Sequence, residues 1–179
     1  MLLLHTCCAP CSAAIIEWLL ANGIRPVLFY FNPNIDPREE YEKRKAECTR
    51  YARQQGLEWM DADYDHAVWL QAVAGMEEEP ERGARCLHCF KIRLLATANM
   101  AHKLGFDRFA TTLASSRWKS LHQIAEAGHW AAAQFPPVTF WEKNWRKDGL
   151  SERRRILIEA NGFYNQTYCG CEFSRPKRQ

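Results

Sequence analysis

Residues 5–12 read HTCCAPCS, which sets three cysteines, Cys7, Cys8 and Cys11, within five positions directly after the apolar run MLLL. Neighbouring side chains on an extended chain point to opposite sides, so Cys7 and Cys8 are poor disulfide partners. Packing does not call for them either, because small hydrophobes fill an interior better than a row of thiols. Two more groups follow. RCLHCF places Cys86 and Cys89 in a C-x-x-C at the start of a helix, a spacing that sets both sulfurs on one face. YCGC places Cys169 and Cys171 around a glycine whose backbone freedom lets both sulfurs turn the same way. The remaining cysteine of the eight, Cys48, falls on the helical stripe Tyr41, Cys48, Ala52 and reads as a small core residue.

Either short motif alone is explained by a redox pair or a structural zinc knuckle. Seven candidate thiols exceed the four ligands of one tetrahedral zinc, so there are two metal centres or some thiols do chemistry. Iron–sulfur clusters also take four thiolates, and an all-sulfur set with no neighbouring histidine pair suits them. The helix that opens after HTCCAPC adds a dipole favouring thiolate at Cys7, Cys8 and Cys11. A zinc-binding, RNA-associated structural protein and a C-x-x-C thiol oxidoreductase stay open as rivals.

The elements that must position these thiols alternate. LLLH and PVLFYFN read as buried strands, LEWMDA as a third and FDRFATTL as a fourth. SAAIIEWLLANG reads as a helix capped by Ser12 and stopped by Gly23. IDPREEYEKRKAECTRYARQQG reads as a longer one, with Asp36 capping, Pro37 in the first turn and Gly56 ending it. Helical stretches around 64–74, 87–103, 119–133 and 151–161 fill the gaps. This rhythm predicts an α/β fold, a parallel sheet flanked by helices, in a single domain over residues 1–179. Loops at the carboxyl ends of parallel strands gather at one edge, and HTCCAPCS, FNPNIDP and TTLASS are such loops. GMEEEPERGAR reads as an excursion within the domain.

Composition is that of a soluble globular protein, with 47% hydrophobic and 25% charged residues. The opening run lacks a basic n-region and is broken by His, Pro, Ser and Glu, so it reads as neither an export signal nor a membrane span. A cytoplasmic location is expected, where clustered thiols bind metal or react more often than they bridge. The net charge of +3 is mild, but KNWRK, SERRRI and RPKRQ concentrate positive charge in the last quarter.

Taken together, HTCCAPC, FYFNPNIDPREEY..R, RCLHCFKIRL, TTLASSRWKS and YCGCEFS resemble the QueH type of epoxyqueuosine reductase, over residues 5–174. The resemblance implies a PP-loop-like (HUP-like) fold and reduction of epoxyqueuosine to queuosine at the wobble position of tRNA. It also implies a 4Fe–4S cluster, an adjacent mononuclear iron and an external electron donor. Its ligand pool here is Cys7, Cys8, Cys86, Cys89, Cys169 and Cys171, with Cys11 as a further ligand to the second metal. Where the PP-loop ATP pyrophosphatases carry a glycine-rich phosphate cradle, this chain reads CCAPCS. Adenylation, and with it a sulfur-inserting activity, is therefore not expected.

Opening an epoxide to an alkene consumes two electrons and two protons, so a proton donor is needed. His5, Asp36, Tyr168 and His88 are candidates by type and position. For RNA, FWEKNWRK interleaves Trp141 and Trp145 with Lys143, Arg146 and Lys147, a pattern of phosphate contacts and stacking faces. Its alternative is a solvated loop with the tryptophans in the core. Thr111, Thr112, Ser115, Ser116 and Lys119 form a polar loop after the fourth strand, placed to touch the modified nucleotide. Arg153, Arg154 and Arg155 fan around their helix and cannot all reach one surface.

Overall fold

In the computed structural model, which describes residues 1–175, five strands form one sheet in the order β3-β2-β1-β4-β5. They are β1 (Leu2–Thr6), β2 (Val27–Tyr30), β3 (Trp59–Asp61), β4 (Arg108–Thr111) and β5 (Thr139–Phe140), and every neighbouring pair is parallel. The central strand β1 is buried along its whole length, with Leu3 opposite Val27 on one side and Phe109 on the other. A strand covered by helices on both faces needs no polar alternation, which is why LLLHT reads as a continuous run. Six helices accompany the strands: α1 (Ala9–Ala21), α2 (Arg38–Gln54), α3 (His66–Ala72), α4 (Ala84–Lys103), α5 (Leu121–Ala133) and α6 (Leu150–Asn161).

Four strands and all six helices fall where the sequence patterns place them. β5 is the addition: two residues carry no period, and the strand exists because Thr139 and Phe140 pair with Arg108 and Phe109. α5 closes on it through Gly128, where a Cβ would stand 2.4 Å from the Phe140 ring.

Two expected caps are corrected. α1 starts at Ala9 with Cys8 as N-cap and Pro10 in its first turn; the Ser12 hydroxyl, inside the helix, donates to the Cys8 carbonyl at 2.8 Å. α2 takes Pro37 as N-cap without any side-chain bond, because the Asp36 carboxylate turns to Arg175 and His66. The excursion before α4 is held down by Arg85, 3% exposed, which donates to the carbonyls of Met76 and Glu77 at 2.8 Å each. Of the basic run RPKRQ, residues 176–179 lie outside the described residues.

The strand order has a functional consequence. From β1 the chain builds outward to β2 and β3, then returns to β4 and β5 on the other side. The crevice at that reversal lies beyond the carboxyl ends of β1 and β4, where HTCCAPCS and TTLASS emerge. Among the described residues no helix is long and apolar enough to cross a membrane.

Candidate metal and substrate site

Cys7 follows β1, Cys8 caps α1 and Cys11 sits in the first turn of α1. Their sulfurs all lie within 4.8 Å of one another, with Cys7 and Cys8 3.8 Å apart, and all three residues are buried. Thr112, on the 3-10 turn after β4, accepts from the Cys7 N–H at 3.2 Å and donates its hydroxyl to the Cys7 sulfur at 3.4 Å. The Gln166 amide donates to the Cys8 sulfur at 2.8 Å. Hydrogen bonds from Cys11 and Cys8 hold the Cys7 thiol well below its usual range, with Lys119 and Arg93 adding to the effect. Burial pushes Cys8 well up, and the bond to Cys7 pushes Cys11 up to about 12. A bound cation would favour the ionised form of all three.

Cys86 and Cys89 lie in the first turns of α4, and Cys169 and Cys171 on the loop that follows α6. Cys86, Cys169 and Cys171 line one small cavity with Lys119 and Trp118, while Cys89 and Cys171 share an apolar group with Trp69. Burial raises the thiols of Cys86 and Cys89, and that of Cys171 to about 12. Arg44 on α2, 3% exposed and paired with Glu40 at 2.7 Å, donates to the carbonyls of Cys169 at 3.1 Å and Tyr168 at 3.4 Å. From the loop after β2, the Asp36 N–H donates to the Gly170 carbonyl at 2.9 Å.

Lys119 joins the two groups. It is 6% exposed, and burial alone would depress it, yet the charges of Cys169, Cys7 and Cys11 hold it above its ordinary value. Its ammonium therefore stands among thiols from both sets. These thiols, five buried and two half-buried, are a sulfur donor set of the kind that suits soft metals. Cys48, buried in α2, keeps its place as a core residue.

Several expected site residues are engaged elsewhere. His5 is wholly buried, its Nδ1 2.8 Å from the Thr111 hydroxyl and its Nε2 3.1 Å from the Phe31 carbonyl, and burial lowers it to about 3. With both nitrogens engaged, the ring ties β1 to its neighbours. Tyr168 donates its hydroxyl to the Asp36 carbonyl at 2.6 Å and, raised by burial to about 12, serves as a tether. Asp36 belongs to an acidic corner with His66 and Glu172, whose ligand atoms lie within 4.8 Å; Arg175 closes on its carboxylate. His88 is half-buried on α4.

On the RNA side, Trp145 is 2% exposed and packs edge-on to Trp18 and Trp141, so it offers no stacking face. Arg146 donates to the carbonyls of Ser116 and Lys119 and braces their loop. Lys143 lies 4.4 Å over the Trp18 ring. Trp141 is half-buried and Lys147 exposed. Of the polar loop, Thr111 and Thr112 face the sheet and Cys7, Ser115 is buried, Ser116 lines a cleft and Lys119 lines the thiol cavity. The three arginines of α6 do diverge: Arg153 pairs with Glu17, Arg155 with Glu152 and Glu159, and Arg154 bonds the Pro10 carbonyl. Gln166 was not legible as a site residue beyond standing three positions before Cys169. Arg44 had only its place in the EEY..R motif as a signal.

A family model described as Epoxyqueuosine reductase QueH matches residues 2–177. Curated relatives of that name include proteins from Haemophilus influenzae, 47% identical over 97% of this chain and 71% of the relative, and Acinetobacter baylyi, 44% identical over 97% and 79%. The relative from Thermotoga maritima is 35% identical over 99% of this chain and 91% of its own. Two solved structures share the fold at 12% identity. One is the U34-tRNA thiolase NcsA from Methanococcus maripaludis with its [4Fe-4S] cluster, at a TM-score of 0.53 over 100% of this chain and 60% of that one. The other is a predicted subunit of a tRNA methyltransferase from Methanocaldococcus jannaschii, at 0.54 over 98% and 96%. With the family model spanning the thiol loops at both ends of the sequence, the chain belongs to the QueH family of epoxyqueuosine reductases.

Proposed function

We propose that the protein reduces epoxyqueuosine to queuosine at the wobble position of tRNA, in the cytoplasm, with electrons from an external donor. The observation that carries this reading is the trio Cys7, Cys8 and Cys11 at the carboxyl end of β1, together with Cys86, Cys169 and Cys171 from two distant segments lining one cavity with Lys119. The net change consumes two electrons and two protons and turns the epoxide into an alkene and water.

The ligand pool for a 4Fe–4S cluster and an adjacent iron is Cys7, Cys8, Cys11, Cys86, Cys89, Cys169 and Cys171. When bound, such a centre supplies electrons one at a time and an electrophile for the epoxide oxygen. The chain's own residues do the rest. Thr112 and Gln166 orient the sulfurs of Cys7 and Cys8. Trp118, Phe90 and the stem of Arg85 wall the thiol cavity. Lys119 holds a proton on Nζ in a buried position, the place from which one is needed.

Anaerobic purification with an absorption spectrum and iron and sulfide assays comes first, then mass spectrometry of nucleosides from epoxyqueuosine-containing tRNA incubated with protein and reductant. Loss of epoxyqueuosine with matching gain of queuosine is expected. Zinc in a colourless protein would favour the structural rival, a metal-free protein with a disulfide couple the oxidoreductase one; either, with unchanged nucleosides, would overturn the proposal.

A further inference from the structure

A polar cleft of about 240 Å³ opens between the turn at Ser116–Trp118 and α6, next to the thiol cavity; Trp118 lines both. Its floor is Gln166, only 7% exposed. The two ends of this amide face different things. Nε2 donates to the Cys8 sulfur at 2.8 Å. Oε1 is buried and, among the described residues, has no hydrogen-bond partner. A buried carbonyl left without a donor is rare in native folds and marks a place where a ligand's N–H or O–H completes the structure.

The walls add charge and an aromatic face. Arg154 is anchored by its Nε to the Pro10 carbonyl at 2.9 Å, its one side-chain hydrogen bond among the described residues. Arg117 is exposed on the opposite lip. Between them stands Trp118, half-buried. The turn is braced from both sides, by Arg146 on the carbonyls of Ser116 and Lys119, and by Arg82 on those of Arg117 and Trp118 at 2.8 and 3.1 Å. The cleft lip is thus braced by carbonyl contacts, which leave the side chains of Arg117 and Trp118 uncommitted among the described residues.

We propose that this cleft receives the wobble nucleotide drawn out of the anticodon loop, with Gln166 Oε1 accepting a hydrogen bond from it. Arg117 and Arg154 meet its flanking phosphates and Trp118 flanks the base. This rests on the tRNA reading above. Two cations for phosphate, an aromatic plane for a base and one unpaired acceptor for its donors are the chemistry by which unstacked nucleotides are read. It places the substrate one hydrogen bond from a metal-binding sulfur, and it moves the RNA contact away from the Trp141–Lys147 segment.

The test uses anaerobically purified, iron-loaded protein and anticodon stem-loops carrying queuosine or adenosine at the wobble position, titrated by fluorescence anisotropy. Gln166→Met is expected to weaken the queuosine stem-loop about tenfold and leave the adenosine one unchanged. Arg117→Ala is expected to weaken both equally and lower the slope of log K against log salt by about one. In parallel, unaltered protein is photo-crosslinked to a stem-loop with 6-thioguanosine at that position, and the adducts should map to residues 116–118 or 154–166. This arm decides the matter should Gln166→Met lose its iron. Unchanged queuosine affinity in an iron-loaded Gln166→Met, or adducts on residues 141–147, would overturn the cleft while leaving the tRNA reading standing. Protein that binds neither stem-loop at low salt would overturn both.

Discussion

Gly170 sits between two cysteines of the proposed ligand set at φ +140°, in backbone territory that residues with a side chain rarely adopt. A Cβ built there stands 3.2 Å from Arg44 Nη1, 3.2 Å from Ile35 Cγ1 and 3.3 Å from Asn34 Nδ2. For Gly170→Ala the backbone strain is about 1–3 kcal/mol. The contacts add to it, because Arg44 cannot swing aside without weakening its bonds to the carbonyls of Cys169 and Tyr168, at about 1 kcal/mol for one lost. The sum, about 2–4 kcal/mol, lowers the melting temperature by roughly 5–15 °C in a chain of this size. It also displaces Cys169 and Cys171, so iron per chain should fall. Gly162→Ala is the matched control: φ is +59°, nothing lies within 4 Å, and only backbone strain of about 1–2 kcal/mol applies. Thermal unfolding and iron analysis of both anaerobic proteins give the answer. If the two variants lose equal stability and bind equal iron, the contacts around Gly170 do not hold the thiols, and the reasoning fails.

Other outcomes follow from the same structure. Arg44→Met leaves Glu40, 10% exposed, with only the Tyr164 hydroxyl at 3.0 Å, and should cost about 2–4 kcal/mol by urea unfolding; a loss under 1 kcal/mol would show that the pair is not what ties α2 to the cysteine loop. Cys48→Ala should leave iron per chain unchanged at a cost of about 1 kcal/mol, whereas Cys8→Ala and Cys89→Ala should each reduce iron; a Cys48 variant depleted of iron would bring that residue into the ligand set. In Gly128→Ala, a gain of about 1 kcal/mol in helix propensity opposes overpacking of about 1–3 kcal/mol against the Phe140 ring. A net fall in melting temperature, recovered by adding Phe140→Leu, is expected; a rise would mean that β5 shifts freely.

What the residues disclose about this fold and site depends on how local the cause is. β1 and β2 are runs buried on both faces, and such runs are legible without knowing their neighbours. β5 is defined by Phe109 and Arg108 opposite it and leaves no trace in its own two residues. The thiol groups were legible because spacing places sulfurs on a helix face or a turn, and strand order then gathers the turns at one edge. Residue type misled where a tertiary partner decides: an Asp before Pro promises a cap until Arg175 and His66 take its carboxylate. Trp145 and Arg146 look like an RNA face until Trp18 of α1 covers the ring and the Ser116 loop takes the guanidinium.

The same distinction separates scaffold from chemistry in the site itself. Folding satisfies buried polar groups wherever it can, because an unpaired one is costly. His5, Thr111 and Tyr168 were candidates by type, and all have their partners within the fold. A group already satisfied must give up a bond before it can serve a substrate. Groups that the fold leaves incomplete stay available for chemistry, among them the clustered thiols, the buried Lys119 ammonium beside them, and the Gln166 carbonyl, buried without a partner at the edge of the cleft. Sequence spacing could reveal the first of these, since like residues were repeated. It could not reveal the other two, since Lys119 and Gln166 matter only for what stands, or fails to stand, beside them.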